Sequence, residues 1–288
     1  MALADPRSGW IILIAGVAVG LSAAMAGAWL IQRLTKNAGW VDVVWTFATG
    51  AGAGACALAP VNGSIPGPRA VLVAALVSFW ALRLGLHLAR RSAASGQEDA
   101  RYASFRIEWG QAFEIRLFGF LQIQAIAAAA LALTVLVAAR NPAPGLAWRN
   151  LAGAAVLAGA ILGEGVADRQ LSRFKAYPPN RKAICDVGLW AWSRHPNYFF
   201  EWFGWLAYPL MAIDFSGRWP WGWFALTGPA LMFFLLRFAS GVPPTEAAMA
   251  RSRGAAFARY QARVSPFFPW PPRPAAAPAS SLSKGKGS

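Results

Sequence analysis

Charge is what this sequence is shortest of. Only 14% of its 288 residues are charged, whereas soluble domains carry about 25%. Acidic residues are scarcest, 12 against 27 Lys and Arg. Histidine and cysteine occur twice each. His87 and His195 stand on different segments, and Cys56 and Cys185 are far apart in the chain. That leaves no ligand set for a catalytic zinc or a haem and no disulfide framework. No G-x-G-x-x-G fingerprint and no P-loop occurs, which excludes a Rossmann half. Apolar surface is abundant instead: 57% of residues, with 15 Trp and 18 Phe and a mean hydropathy of +0.40. Disorder is excluded for most of the chain. The class is integral membrane protein, all-α and polytopic.

A crossing helix needs about 20 mostly apolar residues. Ser8 to Gln32 has no charged side chain and is the first such run, too long for the apolar core of a signal peptide. Further runs extend from about Val43 to Pro60, Ala70 to Ala89, Leu117 to Ala139, Leu151 through Glu164, Asn197 to Ile213, and Trp219 to Leu236. The expectation is seven transmembrane helices with cytoplasmic loops and the amino terminus outside. The positive-inside rule supports that count. It leaves Arg7, Arg69, Arg140, Arg149 and Arg218 on the outer side and the other 22 of the 27 basic residues inside. A net charge of +15 on a soluble protein would suggest nucleic acid. Here it reads as topology determinants and contacts to anionic lipid, so no nucleic-acid partner is expected. The Pro-, Ala-, Ser- and Lys-rich stretch 273–288 reads as a disordered tail.

Ionisable groups inside membrane segments are costly and face a protein interior or a wet cavity. The carboxy-terminal half concentrates them. In GEGVADRQLSRFK, Glu164, Asp168, Ser172 and Lys175 follow helical spacing, one polar stripe that continues from the apolar run into the cytoplasm. The next loop contains Arg181, Lys182, Arg194 and His195, donors suited to phosphate. Pro196 suits a first helical turn. Asn197 and Glu201 then lie one turn apart beside Tyr198 on an otherwise apolar helix. After the last apolar run, a Pro-Pro turn opens a basic cytoplasmic helix on which Glu246 and Tyr260 are candidates to close over a ligand. An interfacial anchor for Arg194 and His195, a helix–helix hydrogen bond for Asn197 and Glu201, and plain surface placement for Lys175 are the competing structural readings.

The run Asp168 to Lys175, the Gly188–Trp190 GLW, the Arg194–Tyr198 RHPNY, Glu201, Tyr260 and the FFPW ending resemble the bacterial DUF1295 membrane proteins. That family is similar to the steroid 5-alpha-reductases and, more distantly, to sterol reductases and isoprenylcysteine carboxyl methyltransferases. The resemblance is strongest over residues 150–272. It implies a hydrophobic substrate cavity in helices 1–4 (1–140) and an NADPH-binding half in helices 5–7 with their loops (141–272). By position it implies cofactor contacts from Glu164, Asp168, Arg173, Lys175, Arg181, Lys182, Arg194, His195, Asn197, Tyr198, Glu201, Glu246 and Tyr260. The animal enzymes place a Gln-Glu pair on helix 2 and a Tyr on helix 3. Here Asp42 stands in about the place of the acid, the Gln is absent, and the third run offers Trp80, Arg83 and His87 instead. Asp42 with Tyr102 is therefore the candidate catalytic pair, with Asp42, Trp45, Trp80 and Arg83 facing substrate. A helix cap is the alternative for Asp42.

The resemblance implies an NADPH-dependent reductase of a C=C bond conjugated to a carbonyl, with a 4-ene-3-oxo steroid as substrate class. The protein would be a monomer of the bacterial inner membrane, with its cofactor site facing the cytoplasm and no metal. Two other classes stay open: an S-adenosylmethionine-dependent methyltransferase on a lipidic substrate, and a non-catalytic lipid-binding protein.

Overall fold

The computed structural model describes residues 6–61, 63, 65–95, 98–181 and 183–274. The chain is helical almost throughout: α1 (Pro6–Thr35), α2 (Gly39–Leu58), α3 (Pro68–Ser95), α4 (Ala100–Trp109), α5 (Phe113–Ala139), α6 (Trp148–Ala176), α7 (Pro196–Trp205), α8 (Ala207–Ala212), α9 (Thr227–Phe234) and α10 (Val242–Arg263). Among the described residues the β-type pairing is an isolated bridge between Ser193 and Ser265. Six helical segments are long and apolar enough to cross a membrane: Gly9–Thr35, Gly39–Leu58, Pro68–Ala94, Arg101–Ala139, Trp148–Ala176 and Pro220–Arg263. This is a multi-pass membrane protein.

The expected sixth span, Asn197 to Ile213, is not one long helix. It consists of α7 and α8 in series, separated at Leu206. Pro209 lacks the N–H that would bond the carbonyl of Trp205, and its ring crowds that carbonyl. The expected seventh span is likewise composite. A 3-10 stretch over Pro220–Leu226 leads into α9, and a π turn over Leu235–Ala239 follows it. A short helix the apolar runs did not announce, α4, is started by Asp99, whose side chain accepts the backbone N–H of Arg101 at 3.0 Å.

Two apolar cores hold the bundle. Leu21, Met25, Val41, Tyr102, Phe113, Leu117 and Leu121 join α1, α2, α4 and α5. Val73, Val77, Trp80, Leu131, Val135, Leu157, Trp205 and Met211 join α3, α5, α6, α7 and α8. The seam between α6 and α7 is tight because of Gly163: a Cβ there would lie 2.4 Å from the Phe200 ring.

The two ends of the bundle differ. At one end, arginines tie down loop carbonyls that have no helical partner. Buried Arg69 donates to Asn141, Ala143 and Gly145, Arg140 to Ala59, and Arg149 to Ile213. The other end carries α4, α10 and the segment 177–195.

Candidate functional site

A buried ionic cluster joins α3, α6 and α7. The Arg83 guanidinium lies 2.6 Å from Glu164 Oε1 and 2.6 Å from Asp168 Oδ2. Glu164 and Asp168 share a face because they stand one helical turn apart. His87, one turn beyond Arg83, brings Nε2 to 3.5 Å from Asp168. Glu201 reaches the cluster from α7 and accepts from the indole N–H of Trp80 (3.1 and 2.9 Å) and of Trp205 (3.1 Å). Of the three buried carboxyl groups, Glu164 and Asp168 thus pair with Arg83, and Glu201 is held by the two indoles. Charges taken this far from water persist only when paired and hydrogen-bonded, which is what Arg83 and the two indoles provide. Trp80 and Arg83, expected with Asp42 on the substrate side, stand with Glu164, Asp168 and Glu201 instead.

A second cluster lies between α2 and α4. The Tyr102 hydroxyl, fully buried, donates to Asp42 Oδ1 at 3.0 Å, and Arg101 donates to Asp42 Oδ2. Arg101 also bonds Asp99 at 2.9 Å. Burial pushes the Asp99 carboxyl up, but the charge and hydrogen bonds of Arg101, with Arg91, outweigh it and hold it below its ordinary value. Asp42 is no helix cap here: it lies inside α2, and the Ala38 preceding the helix makes no side-chain cap. Trp45, three residues further along α2, donates to the Gln124 carbonyl at 3.1 Å. Arg101, His87 and Trp205 were not among the expected site residues. The signal for Arg101 was its place beside Tyr102; for Trp205 it was the one-turn spacing from Glu201.

The RHPNY segment closes the same end. Arg194 makes a bidentate pair with Glu246 (2.7 and 3.1 Å) and donates to the carbonyls of Gln261 (3.1 Å) and Val264 (2.5 Å). Its guanidinium is largely spent on fastening α7 to α10 and to the chain beyond. His195 Nε2 lies 3.1 Å from Glu246, and its ring stacks on Tyr198 at 5.2 Å. Burial lowers the His195 imidazole from its ordinary value, against the raising pull of Glu246. Tyr198 reaches Thr245 of α10 at 3.3 Å. Pro196 opens α7 as its first helical residue. The next residue, Asn197, holds Oδ1 buried with no hydrogen-bond partner among the described residues. Such an acceptor is expensive to leave alone.

The GLW run positions this segment against α6. Gly188 has φ +60°, and a Cβ would sit 2.6 Å from the Gln170 amide. Gln170 in turn accepts the Leu189 N–H at 2.9 Å, and Trp190 donates to Ala167 at 2.9 Å. Tyr260 bonds the Trp190 carbonyl at 2.5 Å, a structural tie rather than an open face. Arg173, Lys175 and Arg181 are exposed, and Lys175 has Arg91 and Arg253 within Coulombic range. Lys182 lies outside the described residues.

Residues 28–264 match the family model described as Protein of unknown function (DUF1295). The chain belongs to the DUF1295 family. No curated protein and no solved structure matches it. The DUF1295 match embraces both polar clusters and the RHPNY latch, so the family region includes the whole candidate site. A cavity of about 390 Å³ lies at the other end of the bundle among Trp148, Phe203 and Leu226, and one of about 290 Å³ lies against the RHPNY segment among Arg194, Gln261, Arg263 and Trp270. Neither is lined by Glu164, Asp168 or Asn197. Among the described residues no group of His, Cys, Asp and Glu is arranged to hold a metal ion.

Proposed function

We propose that this protein is a membrane reductase that uses NADPH to reduce a C=C bond conjugated to a carbonyl in a hydrophobic substrate, with 4-ene-3-oxo steroids as the substrate class. The observation that carries the reading is the buried Tyr102–Asp42–Arg101 set, a hydrogen-bond donor held at the edge of an apolar helical core. When bound, NADPH supplies a hydride to the β-carbon, and water returns a proton to the α-carbon.

Two features fit that cofactor. The lone buried acceptor of Asn197 matches an amide N–H₂ donor such as a nicotinamide carboxamide. The basic set of Arg91, Lys175 and Arg253 suits phosphates, and Arg253 Nε is itself buried and unpartnered. Glu164, Asp168 and Glu201, fixed by Arg83 and the indoles, would be the acidic contacts to the same cofactor. In the reaction Tyr102 turns its single hydroxyl proton from Asp42 to the substrate carbonyl oxygen. There it stabilises the charge that develops as the hydride arrives. Asp42, still gripped by Arg101, keeps the ring oriented. Seven crossings, an outer amino terminus and a cytoplasmic cofactor site in a bacterial inner membrane complete the reading, with a monomer as the working unit. Helices 1–4 would enclose the substrate, and the chain from 141 to 272 would hold the cofactor.

The test is thermal stability of the purified protein with NADPH, NADH and S-adenosylmethionine in turn. A ligand at 100 times its dissociation constant adds about 2.7 kcal/mol. Stabilisation by NADPH supports the reading. Stabilisation by S-adenosylmethionine alone makes the protein a methyltransferase, and no response to any of the three returns it to the non-catalytic class.

A further inference from the structure

At the end of the bundle away from the polar clusters, an apolar groove of about 390 Å³ runs between α6, α8 and the turn that follows α8. Val156, Phe203, Leu210 and Leu226 form its walls, and Arg149 is the single charged residue that lines it. The groove lies on the outer surface of a membrane-spanning bundle, so what fills it is a hydrocarbon chain rather than water.

Arg149 makes the groove more than a lipid-wetted face. Its guanidinium is seated against two aromatic rings, 5.7 Å from Trp148 and 5.3 Å from Phe215, and donates to the Ile213 carbonyl at 2.7 Å. That fixes the fork while leaving most of its N–H groups unspent. Trp148 and Phe215 are 71% and 75% exposed, the pattern of aromatic side chains at a membrane–water boundary. Arg149 and Arg218 both act on the nearby Asp214 carboxylate. Asp214 turns its carboxylate to Ser216, accepting from the backbone N–H at 3.0 Å and from the hydroxyl at 2.5 Å. The hydrogen bonds of Asp214 are thus spent on Ser216 rather than on Arg149, and the one charged residue lining the groove is a cation.

We propose that this groove is a binding site for an anionic phospholipid. One acyl chain lies along Val156, Leu210 and Leu226, and the phosphodiester is held by the free N–H groups of Arg149. The site is separate from the reductase site and does not depend on that reading. A planar guanidinium held in place gives two parallel bonds to phosphate oxygens, which a zwitterionic headgroup, carrying its own ammonium, uses less well.

The experiment reconstitutes the full chain in bilayers of equal phosphatidylglycerol and phosphatidylcholine, extracts it gently, and measures the retained lipids by mass spectrometry. The parent protein retains phosphatidylglycerol above its share of the bilayer. Arg149→Gln lowers the affinity for it roughly tenfold, as expected for one lost charge-assisted contact, while Arg149→Lys keeps part of it. Leu210→Trp, which fills the groove and leaves the charge, lowers retention of both lipids. Retention in bulk proportion by the parent overturns the proposal, as does undiminished phosphatidylglycerol retention by Arg149→Gln. Should Arg149→Gln fail to fold, Leu210→Trp decides, and unchanged retention by that variant refutes the site.

Discussion

Replacing Arg83 by Met should be among the most damaging single changes in this protein. The substitution keeps most of the side-chain volume and removes the one permanent cation that faces Glu164 and Asp168, each now 2.6 Å from the guanidinium. Both carboxylates are about nine-tenths or more buried, so water does not take over the role of the lost charge. Breaking a buried pair by deleting one partner costs about 3–5 kcal/mol, mostly because the other charge is stranded. Here two are stranded, although protonation of one carboxyl limits the total, so the upper part of that range is expected. Unfolding by a denaturing detergent in mixed micelles measures it. A second pair of variants separates charge from packing: in the Arg83→Met background, Glu164→Gln with Asp168→Asn should recover about half or more of the loss, because no stranded charge remains. A loss below about 1 kcal/mol for Arg83→Met, the range of a surface pair, would show that the cluster is wet and would refute the argument from burial.

Four other outcomes follow from the geometry. Asn197→Ala should raise the NADPH dissociation constant by a factor matching about 1–3 kcal/mol, measured by titration against the parent, while stability stays close to the parent because Oδ1 has no protein partner to lose. Tyr102→Phe should cost only about 0.5–1.5 kcal/mol of stability yet cut kcat for enone reduction with NADPH affinity unchanged, and equal loss of both would move Tyr102 out of the catalytic role. Gly188→Ala should destabilise by more than about 1 kcal/mol, since a positive φ and the Gln170 amide both oppose a Cβ. Stability should also fall as pH drops below the ordinary His value of about 6.5. His195 is held below that value when folded, so the unfolded chain binds the extra proton first and the folded state loses ground. Thermal midpoints of the parent and of His195→Gln between pH 7.5 and 5.5 should converge as the pH falls.

The long apolar helices were legible because their length and uncharged character need only a one-dimensional reading, and α1, α3, α5 and α6 contain the runs expected for them. The broken spans were less so. Pro209 was visible, but an apolar run reads as one segment whether or not its hydrogen bonds continue through a proline. The polar stripe of α6 was legible from its spacing, as was the turn that joins Asn197 to Glu201. The partners were not. Arg83 meets Asp168 across 85 positions, Trp80 meets Glu201 across 121, and Arg194 meets Glu246 across 52. Such pairings are set by helix packing, which no local pattern encodes. That is why Arg194, read as a phosphate donor, proves to be tied to α10, and why Trp80 and Arg83 stand with the carboxylates of α6 and α7.

The measurement that bears most directly on the proposed function is transfer of deuterium from NADPH deuterated at the nicotinamide C4 to a 4-ene-3-oxo steroid, followed by mass spectrometry of the product. Incorporation of one deuterium at the β-carbon, abolished or strongly slowed by Tyr102→Phe, is what the account predicts. A steroid recovered unreduced, while NADPH demonstrably binds, would contradict it.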